Sequence, residues 1–515
     1  MHRLICLCSL LLAAAANLPA LDYSVTPADD LEAALDVLTQ GDTLTLMNGV
    51  YNDPPAFLID NNHGIAGTPI TVRGESRDGV IVRRIQIMRN YWTIENMTID
   101  VNDGSYRGII VEGHHSTIRD ITIHDSLYNG IDIRDHDNVI ENCEIYDMNG
   151  TDTHGISVDP GADDNIIRGC VIYDCSGDCI QFYNSGAQTR ALNNTIEFCR
   201  LYTTQAGGSE NAIDLKASNF SLIRNCVMWG FRDSPGSDGA AIVLHQNCDN
   251  VTIDNCLVLD SRHGLRAGSL CDNIVLQRTV FYDIYGTASN WSAIQIDGVT
   301  GMDVYNCTFD MDADNGTIRY EGSPSGIEIY NNIFCNSVLT GDNIDLDGGS
   351  ALIDRNHFYN VNTQGTNATS GNPLFSDPAG HDYGLGGGSG AIDTGRDVSL
   401  PYRGAAPDRG AIESGNEDGD GMPDGWEEFY FGDTTWGDTD DFDDDGTDNL
   451  DEYLAGTDPA QSGGSSGTGP SPSSASSSSS GCRQGNGFGW GQLILLFAMM
   501  MARMGNPKSE TRSPK

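Results

Sequence analysis

Ile140-Glu141-Asn142-Cys143-Glu144-Ile145 is one copy of a phrase that the chain repeats about ten times: an aliphatic residue, two further residues, a small apolar residue or Cys, then another aliphatic. Earlier copies begin at Ile94 and Ile118; later ones begin at Ile167, Ile196, Ile223, Ile253, Leu276, Val304, Ile329 and Ile353. Successive starts lie 22 to 30 residues apart. A period of this length that drifts by a few residues is the signature of a solenoid with loops of variable length.

Each copy is followed, after a turn, by a second short strand. Its cores include Ile131-Asp132-Ile133, Ile156-Ser157-Val158, Ile180-Gln181-Phe182, Ile213-Asp214-Leu215 and Ile242-Val243-Leu244. Side chains alternate across a strand, so the flanking aliphatics point inward and the middle residue outward. A leucine-rich repeat would need a Leu scaffold and a helix in each unit. Here the scaffold is Ile, Val and Cys with short polar turns. The expected fold is all-β, a right-handed parallel β-helix of about 10–12 coils. Asp30-Leu31-Glu32-Ala33-Ala34-Leu35 has helical spacing and is expected to cap its N-terminal end.

Cys143, Cys170, Cys199, Cys226, Cys256 and Cys307 share one slot of the repeat and are expected to form an inward ladder of small buried hydrophobes. Cys248 with Cys271, and Cys175 with Cys179, are the pairs placed for a disulfide.

The 515-residue chain carries 73 acidic against 28 basic residues, a net charge of −45. That excludes nucleic-acid binding, which needs clustered Lys and Arg. Met1-His2-Arg3 followed by the apolar run from Leu4 to Ala16 reads as a signal peptide within residues 1–20. Residues 21–82 read as a cap with first strands, and 83–413 as the β-helix and its closing coils. Residues 416–459 are acidic, 461–481 form a Ser/Gly linker expected to be disordered, and 482–515 are apolar and then basic.

Superimposing the coils turns the outward rows into a surface. The middle row runs Asp132, Ser157, Gln181, Asp214, Val243, Arg266; two residues on it runs Arg134, Asp159, Tyr183, Lys216, His245. The turn before it carries Arg107, Asn129, His154, Asp178, Asn211, Ala240 and His263. With coils ~4.8 Å apart, Lys216 is expected beside His245, with Arg266 two coils above Asp214. Lys216, Arg266 and His245 are candidate catalytic residues. Gln181, Tyr183, His154 and His263 are candidate substrate-binding residues. Asp132, Asp159, Asp178 and Asp214 are candidate ligands for Ca²⁺, which would relieve their mutual repulsion. A cation to neutralise a carboxylate, a base with a lowered pKa such as Lys216 and an acid for the leaving oxygen are the parts needed to remove a proton α to a carboxylate. An acidic polysaccharide built from uronic acids, lying along the solenoid, fits them.

The coils resemble secreted β-helix proteins of the polysaccharide lyase and C5-epimerase type. The resemblance is carried by Gly41-Asp42-Thr43-Leu44-Thr45-Leu46, Ser176-Gly177-Asp178-Cys179-Ile180-Gln181-Phe182 and the stretch from Glu210 to Cys226, and covers about residues 25–413. It implies a groove-facing Lys or Arg near bound calcium, a role that Lys216 and Arg266 match in type and face. It implies β-elimination on a uronic-acid polysaccharide; the alternatives are C5-epimerisation and a non-catalytic glycan-binding or adhesive surface protein.

Asn416, Asp418, Asp420, Asp424 and Glu427 stand at positions 1, 3, 5, 9 and 12 of a loop with Gly421 at 6. Asp441, Asp443, Asp445, Asn449 and Glu452 repeat it 25 residues on, with Gly446 at 6. That spacing wraps one Ca²⁺ per loop. The segment resembles thrombospondin type 3 and dockerin-like repeats, which implies a rigid calcium-dependent stalk. The tail resembles a bacterial sorting signal around Cys482, which implies a monomer secreted or anchored to the cell surface or membrane.

Overall fold

The computed structural model describes residues 20–52, 57–184, 189–204, 209–232, 239–268, 270–284, 292–311, 317–336, 343–378, 381–416, 420–422, 424–443, 446–455 and 459. Residues 1–19 of the segment expected to be a signal peptide, and the segments expected to be a linker and a sorting tail, lie outside the described residues. The rest is a right-handed parallel β-solenoid, the hand that crossover connections between parallel strands nearly always take.

The lead aliphatics stack in the register read from the sequence, from Ile94 on Ile118 through to Ile329 on Ile353. The stack also reaches further back, through Val72 and Leu44 to Tyr23. The helix Leu31–Asp36 is capped at Asp30, whose side chain accepts from Ala33 N–H, and it buries Leu31 and Leu35. Within each phrase the residue before the small apolar slot bends the chain. Asn96, Asn142, Asn225 and Asn255 all have φ between 52° and 59° there, a left-handed conformation that Asn tolerates better than most residues.

Each coil thus has three short strands. Two run in the large sheet, and the third lies in a twelve-stranded sheet. The interior is filled by stacks of like side chains. Phe281, Phe309, Phe334 and Phe358 stack with centroids 5.0–5.3 Å apart. The six-cysteine ladder is buried, and all eleven described cysteines are free, so neither of the two candidate disulfides is formed. On the outside, Arg73, Glu95, Arg119, Glu141, Arg168, Glu197, Arg224 and Asp254 alternate in sign, one per coil. A slip of one coil would set like charges against each other, so this column favours the observed register.

After the last coils the chain folds back along the outside of the solenoid. Phe375, Tyr383, Leu385, Ala411 and Ile412 pack on Leu257, Leu259, Val280 and Ile333. Arg409 is buried and donates to the carbonyls of Asn356, Asn367 and Thr394 and to Thr369 Oγ1. The helix Asp424–Tyr430 continues this path. Its Glu428 carbonyl accepts from Asn225 and Asn255, and its carboxylate faces Arg278 and Arg403. The first acidic repeat therefore lies against the solenoid, which corrects the expectation of a projecting stalk. The contacts responsible join residues 150 to 203 positions apart, which no local pattern announces.

Candidate active site on the twelve-stranded sheet

Asp132, Ser157, Gln181, Asp214, Val243, Arg266 and Gln295 form one column of the twelve-stranded sheet, as expected. Two cavities open on this face. One, of about 400 Å³, is lined by Glu210, Asp214, Lys216, His245, Arg266 and Asp297, among others. The other, of about 840 Å³, is lined by Arg107, Tyr128, Asp132, Arg134, Asp159 and Tyr183, with His154 and Gln181.

The smaller cavity joins three consecutive strands, Asn211–Lys216, Ala240–Gln246 and His263–Ala267. Lys216 Nζ lies 2.9 Å from Asp214 Oδ2, and His245 Nδ1 lies 3.8 Å from the same oxygen. Asp214 is buried, and its Oδ1 has no hydrogen-bond partner among the described residues. The sequence reading placed Lys216 against His245 in register. Instead the ladder shifts after Leu215, and Lys216 pairs with Gln246. Such irregularities re-aim side chains beside functional sites; here His245 is left 56% exposed.

The expectation of a lowered Lys216 pKa is overturned. Burial pulls the ammonium down, but the charge and hydrogen bond of Asp214 come next and, with Asp152, raise the pKa above the ordinary lysine value. The cause was legible, because Asp214 and Lys216 are two residues apart on one strand and share a face.

The same i, i+2 relation sets an arginine beside two of the candidate calcium ligands. Asp132 is ion-paired with Arg107 and with Arg134, the latter at 3.2 Å. Arg134 also holds Glu112 at 2.8 Å and lies 3.7 Å from Asp159. Arginines thus stand against both Asp132 and Asp159. Asp178 is buried as well, its carboxylate accepting from Gln181 Nε2 at 3.0 Å and Asn211 Nδ2 at 2.8 Å. Of the four, Asp214 alone offers the cavity a buried oxygen without a hydrogen bond among the described residues.

His154 Nδ1 accepts the Asp178 N–H at 2.9 Å. That assigns the neutral tautomer, with the proton on Nε2, and burial lowers its pKa in the same sense. His154 is therefore a hydrogen-bond donor in the larger cavity. His263 is buried and lines neither cavity, so it is not placed to touch a ligand as expected. Gln181 and Tyr183 both line the larger cavity. Glu210, Tyr128 and the two arginines had not been singled out; for Arg134 the signal was its place two residues after Asp132.

Burial, then Asp214, pushes the Asp178 carboxyl well above the usual carboxylate range. The folded protein then keeps a proton that the unfolded chain has released, so the contribution of Asp178 to stability falls as pH rises from roughly 4 into the neutral range. Asp178→Asn removes that dependence. Its melting temperature relative to the unsubstituted protein is expected to rise between pH 5 and pH 8; a pH-independent difference would contradict the assignment.

In the acidic segment, Gly421 and Gly446 adopt φ of 105° and 95°, the left-handed turn that the spacing requires. Asp441 Oδ2 accepts Gly446 N–H at 2.7 Å. The helices Asp424–Tyr430 and Asn449–Ala455 follow, and bury Glu427 and Glu452 completely or nearly so. Two buried carboxylates at the closing positions of acidic loops fit a hard cation. Asp424 is also ion-paired with Arg403 at 2.5 Å. Asp418 and Asp445 lie outside the described residues.

Comparison with known proteins places the fold. Residues 13–230 match a model described as Pel9A-like, right handed beta helix region, and residues 163–334 match a right handed beta helix region. The chain is a right-handed parallel β-helix protein. Among solved structures it resembles the PL6 family alginate lyase AlyGC at 15% identity and a TM-score of 0.54, over 67% of this chain and 53% of that one. A mutant of the same enzyme gives 14% identity and a TM-score of 0.56, over 74% of this chain and 59% of that one. The alginate lyase from Paenibacillus sp. str. FPU-7 aligns at 17% identity over 60% of this chain and 99% of that one, with a TM-score of only 0.40. The chain spans little more than half of AlyGC, and at such identities the likeness is one of fold. No curated protein matches the chain.

Proposed function

We propose that this protein cleaves a uronic-acid polysaccharide by β-elimination in the smaller cavity, outside the cytoplasm. The observation that carries this reading is the convergence of Lys216, His245 and Arg266 on one cavity, the first two beside Asp214. Arg266 and Lys216 offset the charge of the substrate carboxylate and so acidify its α-proton. His245, exposed and 3.8 Å from Asp214, takes that proton; an imidazole is a competent base at neutral pH. The C5–H electron pair becomes the C4–C5 double bond, and the C4–O4 bond breaks. The Lys216 ammonium, held protonated by its carboxylates, gives its proton to the leaving oxygen. A divalent cation on Asp214 would add positive charge to this otherwise acidic cavity.

The test is to mix the protein with pectate, alginate and glycosaminoglycans, with and without Ca²⁺, and follow the ultraviolet absorbance of unsaturated uronates. Growth of that band on at least one polymer is the expected result. No growth on any of them, with polymer still bound, would favour a glycan-binding surface protein.

Calcium bound by the two acidic loops is a structural element of the same proposal. Adding Ca²⁺ to chelator-treated protein is expected to raise the melting temperature and to change the fluorescence of Trp426 and Trp436, which pack in the small core of this segment. Glu427→Gln should weaken the response of the first loop by removing its closing carboxylate. A response unchanged by this substitution together with Glu452→Gln would place the calcium elsewhere.

A further inference from the structure

We propose that the larger cavity is an anchoring subsite for an uncharged, hydroxyl-bearing stretch of the polysaccharide; the inference rests on the reading of the smaller cavity as the reacting one. The larger cavity contains two arginines, yet it is not a carboxylate receptor. Arg134 is surrounded by Glu112, Asp132 and Asp159, and Arg107 is paired with Asp132. Three carboxylates thus face two guanidiniums, and no positive charge is left over to attract a uronate. A further carboxylate brought here would be repelled by Asp159 and Asp132.

What the cavity offers instead is a mixed set of donors and acceptors. Asp159 accepts, the His154 Nε2–H donates, and the guanidiniums of Arg107 and Arg134 line the same wall. A sugar hydroxyl both donates and accepts, so it can pair with either kind. Tyr128 and Tyr183 are 42% and 48% exposed at this cavity. The Arg107 guanidinium lies 5.4 Å from the Tyr128 ring centre, which holds that ring in place. Such rings provide flat apolar surface for the C–H face of a pyranose. The smaller cavity has no tyrosine or tryptophan in its lining. One cavity is built for holding, the other for chemistry.

Their separation gives the inference its consequence. From Asp132, whose strand follows Tyr128, to Asp214 is three coils in register, about 14 Å at 4.8 Å per coil, whereas Tyr183 stands only one coil from Lys216 and bridges the two cavities. A disaccharide seated in the smaller cavity does not reach Tyr128; a longer oligomer does. Binding energy from a remote, non-reacting part of a substrate is available to promote the reaction at the other end. The anchor should therefore make the protein selective for chain length, and tolerant of neutral sugars at the anchored end.

The experiment measures binding of graded oligosaccharides from pectate and alginate, and of the same oligomers with their carboxyl groups reduced to alcohols. Tyr128→Ala is expected to weaken binding of oligomers long enough to span both cavities by roughly tenfold, the loss of one aromatic contact. Disaccharide binding should be unchanged in Tyr128→Ala, and Tyr128→Phe should bind as the unsubstituted protein does. The loss should be at least as large for carboxyl-reduced oligomers, whose anchored residues carry no charge for Asp159 and Asp132 to repel, and binding of those oligomers should be insensitive to salt. A loss confined to charged oligomers, or a Tyr183→Ala, Tyr128→Ala double variant that binds every length normally, would overturn the anchor. The two readings fail separately. If no unsaturated product forms but the tyrosine substitutions still weaken long oligomers, elimination falls and the anchor stands. If elimination proceeds and the tyrosine variants bind normally, the anchor falls alone.

Discussion

His245→Ala is expected to lower the rate of unsaturated-uronate formation by roughly 10²–10⁴-fold, the usual contribution of a positioned general base. The loss should fall on kcat rather than KM, because Lys216 and Arg266 remain to hold the substrate carboxylate. Lys216→Ala should lose a comparable factor for a different reason. It removes both the acid for the leaving oxygen and one of the two cations, so KM should rise as well. It also leaves Asp214 buried without its counterion, an arrangement that is costly to keep charged. Lys216→Arg keeps the charge and should recover KM more than kcat, since a guanidinium is a poor proton donor at neutral pH. Initial rates by absorbance, with folding checked by circular dichroism, separate these outcomes. Equal losses in all three variants would mean that they share a binding role only.

Phe309→Ala is expected to destabilise the solenoid by about 3–5 kcal/mol. Phe309 is fully buried and stacks on Phe281 at 5.1 Å and on Phe334 at 5.0 Å. Its removal leaves a cavity in a parallel stack whose other members are fixed by strand register, so the gap cannot close by sliding. Each lost aromatic pair adds roughly 0.5–1.5 kcal/mol. A solenoid is held by nearest-neighbour interfaces. The defect should therefore uncouple the coils after residue 309 from those before it, and a separate early transition and early proteolysis of the C-terminal coils should appear. A single transition shifted by less than about 1 kcal/mol would show that the stack relaxes.

The fold was readable because one physical requirement repeats. Every coil must bury an aliphatic on the same inner row, and the row then appears at Ile94, Ile118, Ile140 and onward as a period. The coils before Ile94 were not read as part of it, because Tyr23 and Leu44 sit in strands that lack the Asn-Cys corner. The groove column, from Asp132 to Gln295, was readable for the same reason as the core, since inward and outward residues alternate. What failed was the charge state. The sequence reading treated Lys216 and the aspartates as separate sets, one to be activated by cations and the other to be bridged by calcium. The alternation that brought them onto one face also pairs Asp214 with Lys216 and Asp132 with Arg134. The shift that moves His245 out of register has no marker in the sequence, and neither does the docking of Glu428 on Asn225, Asn255 and Arg278.

The most direct measurement is mass spectrometry of the oligosaccharides released from a uronic-acid polymer. Elimination predicts fragments whose new non-reducing ends lack one water relative to hydrolysis products, and their disappearance with His245→Ala. Fragments with saturated ends, or a polymer altered at C5 but not cut, would contradict it.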